Sequence, residues 1–154
     1  METNFEIIEI NDFERMLLNY NLAKQLTASL TEAKYSEYLR RMTPHNYFQI
    51  IAKYNEEIIG VSGYWIATKL YCGKYLEIDN FVVDEKYRSQ GIGQMLIKKL
   101  EEIALRHHCD VMMLDAYLQN KQAHRFYEKH DFRAKGFHFI KKVSSIESSS
   151  ECMS

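Results

Sequence analysis

The chain has 154 residues, of which 46% are hydrophobic and 27% charged, and its formal net charge is −1. These values fit one globular domain with a single core and exclude wholesale disorder. The near-zero net charge argues against a dedicated nucleic-acid or membrane-surface binder, so we expect neither partner. No apolar run reaches the ~18 residues of a membrane helix, and the first residues do not resemble a signal peptide.

The near-zero net charge hides an asymmetry of charge along the chain. Residues 1–85 carry 13 acidic and 8 basic side chains, a net of −5, whereas residues 86–142 carry 6 acidic and 12 basic, a net of +6. One interpretation is ordinary surface charge without function. The other is an anionic ligand bound by the second half and a cationic one admitted by the first. The three cysteines are widely spaced, which predicts neither a zinc site nor a disulfide framework and favours a reducing cytoplasm.

The first half predicts a strand, helical segments and three consecutive strands. Residues 5–10 alternate in part and indicate a strand, after which Asn11 or Asp12 could cap a helix over residues 13–20. A second helix is predicted to begin at Thr31 and to end near Met42, before Pro44. Strands are expected at residues 47–54, 58–68 and 75–83, joined by turns at 55–57 and 72–74.

The second half predicts a helix, a strand, a short helix and a last strand. Residues 91–107 carry one apolar stripe at helical spacing, and residues 111–116 form an apolar run typical of a strand buried on both faces. Residues 120–130 predict a short helix, and residues 132–143 a final strand or hairpin arm. The Ser-rich residues 144–154 are expected to be disordered. This order predicts a mixed sheet flanked by helices, an α/β or α+β domain over residues 1–143.

A glycine-rich turn follows the strand predicted at residues 75–83; residues 84–96 read DEKYRSQGIGQML. Helix starts leave backbone N–H groups unpaired and carry partial positive charge, so they bind phosphate well, and glycines let a diphosphate approach the backbone. A Walker A motif is excluded because no Gly-Lys-Ser/Thr follows, and a dinucleotide fingerprint is excluded because position 96 is Leu. What remains is R-x-x-G-x-G over residues 88–93.

That hexad, directly behind a strand that ends in Val-Val, resembles the pyrophosphate-binding signature of the GNAT superfamily of acyl-CoA-dependent N-acetyltransferases. Residues 114–132, LDAYLQNKQAHRFYEKHDF, are similar to the family's second conserved block, in which an Asn, an Ala, a Phe-Tyr pair and a Lys follow a strand. The resemblance covers roughly residues 5–142 and implies a central mixed sheet with splayed parallel strands flanked by helices. The chain departs from the family pattern at position 131, where it has Asp and the family frequently has Gly. Asp tolerates the left-handed conformation of a helix C-terminus.

The resemblance implies acetyl-CoA as co-substrate and assigns its binding groups. The pantetheine arm would pair with the main chain of Phe81, Val82 and Val83, and the N–H of Val83 would hold the oxyanion. Asn120 would contact the same arm, although it is also suited to an N-cap. No metal site is expected. The pyrophosphate would be held by the N–H groups of Arg88, Ser89, Gln90, Gly91, Ile92, Gly93 and Gln94.

Two side chains acquire catalytic roles from the same resemblance. Tyr127 matches the usual general acid, which protonates the departing CoA thiolate; the alternative is a core tyrosine beside Phe126. Glu77 lies at the position of the base glutamate in the histone-acetylating branch, with Asp79 or a water chain as the alternative. Strand alternation predicts that Glu77, Asp79, Phe81 and Val83 share one face.

The implied function is transfer of an acetyl group from acetyl-CoA to a primary amine by direct attack within a ternary complex. The acceptor would be a cationic small molecule, such as a polyamine, an aminoglycoside or an amino-acid-like compound. The alternatives are a protein lysine or N-terminal acetyltransferase and a non-catalytic acyl-CoA-binding module. Dimerisation is common in the family, and the sequence leaves a homodimer open.

Overall fold

The computed structural model describes residues 4–144, which form one five-stranded sheet with helices packed on both faces. The Ser-rich tail predicted at 144–154 lies outside the described residues, apart from Ser144. The elements in chain order are β1 (Phe5–Ile10), α1 (Phe13–Leu17), α2 (Tyr20–Leu26), α3 (Glu32–Met42), β2 (Tyr47–Tyr54), β3 (Glu57–Lys69), β4 (Gly73–Val83), α4 (Ile92–Arg106), β5 (Val111–Leu114) and α5 (Lys121–Lys129).

The strands follow one another across the sheet in the order β1-β2-β3-β4-β5. The first four are antiparallel neighbours, and β5 joins β4 in parallel. The apolar side of α4 packs on one face of the sheet, and α1 to α3 cover a second buried cluster on the other face. The mixed sheet flanked by helices is therefore confirmed. Within residues 4–144, no helix has the length and apolar character needed to cross a bilayer.

Helix starts and ends in the first half follow the sequence closely, with one difference. The backbone N–H of Glu14 donates to Asp12 Oδ1 at 3.0 Å and that of Lys34 to Thr31 Oγ1 at 3.2 Å, so both capping residues are confirmed. The helix predicted over residues 13–20 is instead divided into α1 and α2 at Asn19. The buried Asn19 amide donates to Gln49 Oε1 on β2 at 2.7 Å, a tertiary contact that no helical pattern encodes.

Two predictions for the last strands are wrong. The run at 111–116 ends as a strand at Leu114 and lies at the edge of the sheet, where Val111 is 38% exposed rather than buried on both faces. The strand predicted at residues 132–143 does not form, and Phe137 and Phe139 within it are exposed. β-Forming composition produces a strand only where a neighbouring strand supplies hydrogen-bond partners. The segment lacks that partner in the part of the chain that the structure describes.

A bulge in β4 overturns the predicted common face of four of its residues. Val82 pairs with Val61 and Asp79 with Gly63, so Asn80 and Phe81 together oppose the single residue Ser62. Asn80 has a left-handed backbone, φ 55°, and one extra residue reverses the alternation beyond it. Glu77 and Asp79 consequently lie on the α1–α3 face, whereas Phe81 and Val83 pack on the α4 face.

Candidate active site

A gap opens in the sheet between β4 and β5. The two strands pair only where residues 75–78 of β4 lie beside residues 111–114 of β5. β5 then ends at Leu114, while β4 continues through the bulge to Val83 and stays paired with β3 along its other edge. Among residues 4–144, the edge of β4 that faces the gap therefore pairs with no strand over residues 79–83. Backbone N–H and C=O groups on such an edge are available to an extended ligand.

The glycine-rich loop lies at the end of β4 and leads into α4. Its first part is fixed because Asp84 Oδ1 accepts the N–H of Lys86 at 2.9 Å, and the Arg88 guanidinium donates to the Val83 carbonyl at 3.2 Å. Ser89 and Gly91 both have left-handed backbones, φ 62° and 83°. Gly91 is the N-cap of α4, and no atom beyond its own residue and its chain neighbours lies within 4 Å of the place where a Cβ would stand. The loop thus presents an open, exposed helix start whose first N–H groups have no partner in the helix.

Gly93 serves the packing beneath this loop. A Cβ on Gly93 would lie 3.0 Å from Phe126 Cζ and 3.7 Å from Phe81 Cε1. The absence of a side chain at Gly93 therefore lets α5 approach the first turn of α4. The second glycine of the hexad consequently sets the distance between the loop and the helix that carries Tyr127.

The helix α5 is held at both ends by local contacts. Asn120 is its N-cap, and its side-chain oxygen accepts the N–H of Ala123 at 3.0 Å. At the other end, the N–H of Phe132 donates to the Tyr127 carbonyl and that of Asp131 to the Glu128 carbonyl, which is a Schellman motif. Asp131 has φ 67°, so the predicted left-handed conformation at this departure from the family is confirmed. The cap occupies only the carbonyl oxygen of Asn120, and its NH₂ group remains a donor.

Tyr127 is packed among three aromatic rings on the α4 face of the sheet. The ring centroids of Phe126, Phe132 and Phe81 lie 5.2, 5.7 and 6.0 Å from that of Tyr127. This apolar surrounding disfavours the phenolate and raises the pKa of Tyr127 to about 12. The hydroxyl therefore stays protonated at any physiological pH and is a permanent donor.

Glu77 and Asp79 occupy the opposite face of β4. Glu77 is half-buried opposite Trp65 of β3 and Met113 of β5. Burial, followed by the negative charge of Asp115, raises the pKa of Glu77 above its ordinary value. The Trp65 indole N–H donates to Asp79 Oδ2 at 2.9 Å, which orients that carboxylate. A carboxyl group whose pKa is raised is a better proton acceptor when ionised than an ordinary surface carboxylate.

The structure thus places the predicted residues on the two faces of β4, near the end of its pairing with β5. Tyr127, Phe81 and the loop residues 88–94 lie on the α4 side, and Glu77 with Asp79 lies on the other. Sequence reasoning missed the bulge, the Trp65–Asp79 hydrogen bond and the contact of His138 with Asp115. The Asp-Asn pair at 79–80 was the one available signal for the bulge, because Asn tolerates a positive φ. Among the described residues, no group of three His, Cys, Asp or Glu side chains could hold a metal ion.

Comparison with known proteins agrees with this geometry. The acetyltransferase (GNAT) family matches residues 12–132. Glucosamine 6-phosphate N-acetyltransferase 1 of Dictyostelium discoideum is 30% identical over 145 residues, covering 86% of each protein. N-alpha-acetyltransferase 30 of Xenopus laevis is 31% identical over 135 residues, 84% of this chain and 48% of that protein. The chain therefore belongs to the GNAT family of acetyltransferases.

The fold similarity extends to solved structures of lower sequence identity. The aminoglycoside N-acetyltransferase AAC(6')-Iy in complex with CoA superposes with a TM-score of 0.80 at 16% identity, over 94% of this chain and 98% of that one. The chain spans from a third to about half the length of the N-alpha-acetyltransferase 30 relatives that it matches. The predicted GNAT fold is confirmed.

Proposed function

We propose that the protein transfers an acetyl group from acetyl-CoA to a primary amine. The observation that carries this proposal is the gap between β4 and β5, with the open helix start of α4 at one end and a carboxylate and a phenol on its two sides. Family membership supports the same reaction. The diphosphate of the co-substrate would meet the N–H groups of residues 88–94, and its extended arm would meet the unpaired edge of β4.

The chain's residues fit such a co-substrate. Gly91 leaves room above the backbone, and the exposed Arg88 adds a positive charge to the loop. The main chain of Phe81, Val82 and Val83 borders the gap, so an N–H there can hold the developing oxyanion. The NH₂ group of Asn120 can donate to the arm while its oxygen caps α5.

The transfer balances with two side chains. The amine must first lose a proton, which Glu77 takes directly or through water. The amine nitrogen then forms a bond with the thioester carbonyl carbon, and the carbon–sulfur bond breaks. The nitrogen loses its second proton to solvent, and solvent replaces the proton that Tyr127 donates to the leaving thiolate. Tyr127 donates to the departing thiolate from the opposite face, and its raised pKa keeps the phenol protonated for that role. Because Glu77 and Tyr127 lie on opposite faces of β4, amine and leaving group are separated across the sheet.

We assign the acceptor to small cationic amines. The relatives and structural neighbours are named for glucosamine 6-phosphate, thialysine and aminoglycosides, all of which carry an amine. The face that the amine would use carries Glu77 and Asp79, and negative charge attracts an ammonium ion. The second candidate is acetylation of a protein N-terminus, favoured by the match to N-alpha-acetyltransferase 30. The cytoplasmic location and the homodimer stay predictions.

One assay in two parts tests the proposal. Acetyl-CoA at millimolar concentration should raise the melting temperature, since a ligand that binds only the folded state stabilises it. Release of free CoA is then measured over a panel of polyamines, aminoglycosides, amino sugars, amino acids and peptides with free N-termini or lysines. Release with a small amine supports the first candidate, and release with peptides alone supports the second. A melting shift without CoA release on any acceptor would support a non-catalytic acyl-CoA-binding module. The absence of a melting shift would overturn acetyl-CoA as the co-substrate.

A further inference from the structure

An imidazole–carboxylate pair lies just beyond the end of β5, and neither of its residues has been given a role above. His138 Nδ1 lies 3.1 Å from Asp115 Oδ2. Asp115 directly follows the last residue of β5, and His138 belongs to the segment after α5 that joins no strand. Both side chains are more than half exposed, so a proton can move between either of them and solvent. The contact ties the C-terminal segment to the end of β5.

The strand register places this pair near Glu77. Glu77 pairs with Met113 across the parallel strands, and Asp115 lies two residues beyond Met113, on the same face by alternation. A strand spacing near 4.8 Å at the last paired residues and a rise near 3.3 Å per residue put the two Cα atoms at least about 8 Å apart, because the strands separate beyond Leu114. The charge on Asp115 therefore acts on Glu77 across partly solvated space.

We propose that Asp115 and His138 are a positioning pair that sets the pH range in which Glu77 is ionised, with the two side chains acting in opposite directions. The proposal rests on the proposed function, because it concerns the base of that reaction. Asp115 adds negative charge near Glu77 and favours its protonated form. The His138 imidazolium compensates that charge and favours the carboxylate.

The other charged groups around Glu77 agree with this arrangement. Lys69 of β3 favours the carboxylate, while Asp79 on β4 itself favours the protonated form, alongside burial. Lys69 and Asp79 belong to the sheet, and Lys69 also lies 5.0 Å from the Tyr75 ring centroid. His138 is carried by the segment after α5, which joins no strand among the described residues. Displacement of that segment would remove its positive charge from the site without moving the strands.

The experiment measures the ionisation of Glu77 directly and does not require turnover. The side-chain carboxyl of Glu77 is followed by ¹³C NMR from pH 3 to 8 in the wild-type protein and in Asp115→Asn and His138→Gln. Asp115→Asn should lower the pKa of Glu77 by about half a pH unit, the scale for a unit charge ~8 Å away, and His138→Gln should raise it.

The pH dependence of turnover is the second measurement. The acid limb of the kcat/KM profile for CoA release should move to lower pH in Asp115→Asn and to higher pH in His138→Gln. Asp131→Asn and His45→Gln are matched controls on exposed side chains and should leave both readings unchanged. The proposed role of the pair is overturned if the pKa of Glu77 is unchanged in either test variant, or if it shifts in the same direction in both. A wild-type protein that releases no CoA while Glu77 responds as described contradicts the proposed function alone.

Discussion

Asp79 and Phe81 are two positions apart on β4 and point to opposite faces of the sheet. The bulge at Asn80 is the reason, because it places two residues of β4 against the single residue Ser62 of β3. It separates an acidic face, which carries Glu77 and Asp79, from an aromatic face, where Phe81 contacts Phe126 and Tyr127. An unbroken strand would have placed Glu77, Asp79 and Phe81 on one face of the sheet, so the two-sided site depends on this bulge.

The backbone of Asn80 gives the first prediction. Its φ of 55° is tolerated by Asn and Gly but strains other residues. Asn80→Ala should lower the free energy of unfolding by about 1 kcal/mol, whereas Asn80→Gly should change it by less than about half of that. Urea denaturation of the two variants checks this difference. Equal stability of the Ala and Gly variants would contradict a strained bulge.

The close approach at Gly93 gives the second prediction. A methyl group there would press on the Phe126 ring, so Gly93→Ala should lower the free energy of unfolding by about 1–3 kcal/mol and weaken acetyl-CoA binding. Adding Phe126→Leu removes the ring and should recover part of both losses. Gly136→Ala is the control, because no atom lies within 4 Å of its would-be Cβ. Thermal unfolding and isothermal titration measure the two effects, and a double variant no better than Gly93→Ala would refute the contact.

The indole of Trp65 gives the third prediction. Trp65→Phe removes the N–H that orients Asp79 while leaving an aromatic ring beside Tyr47, whose centroid lies 4.9 Å away. The KM for the amine should rise several-fold and the affinity for acetyl-CoA should stay the same, because Asp79 lies on the amine side only. Steady-state kinetics with each substrate varied in turn separates the two. A change confined to acetyl-CoA would place Asp79 elsewhere in the reaction.

Structural features that depend on neighbouring residues could be predicted from the sequence. The caps at Asp12 and Thr31, the turns between β2, β3 and β4, and the helix start at Gly91 each follow from a few adjacent side chains. Features that depend on distant partners were missed. The break at Asn19 needs Gln49, thirty residues away, and the state of residues 133–144 depends on whether another strand pairs with them. The bulge at Asn80 is a local feature, yet its effect appears only once the register with β3 is known.

The phenol of Tyr127 gives the fourth prediction. Tyr127→Phe keeps the ring among its three aromatic neighbours, so stability and acetyl-CoA affinity should change little. The loss of the donor should lower kcat on the order of 10²-fold, the usual scale for one general acid. Tyr38→Phe, on the exposed side of α3, is the control. Because the pKa of Tyr127 is raised to about 12, its ionisation should not limit the wild-type rate up to pH 10. An unchanged kcat in Tyr127→Phe would remove the residue from the chemistry.

The raised pKa of Glu77 gives a last prediction that links activity to stability. Below that pKa the carboxyl is protonated and cannot accept the amine proton, so the wild-type rate should fall as the pH falls through it. Glu77→Gln should lose most of the activity and also lose this acid limb. The same group costs stability when ionised, because its pKa is higher in the folded than in the unfolded state. That cost is absent below the unfolded pKa and is fully present above the folded one.

Glu77→Gln should therefore raise the melting temperature at pH 7 and have little effect near pH 3, where wild-type Glu77 is already neutral. Glu101→Gln, an exposed position on α4, should change neither property. Melting curves at several pH values, measured together with CoA release, separate the two effects. A variant that is less stable than the wild type at pH 7 would mean that Glu77 is held by favourable contacts. The half-buried, poorly solvated state that suits a base would then be the wrong description of this carboxylate.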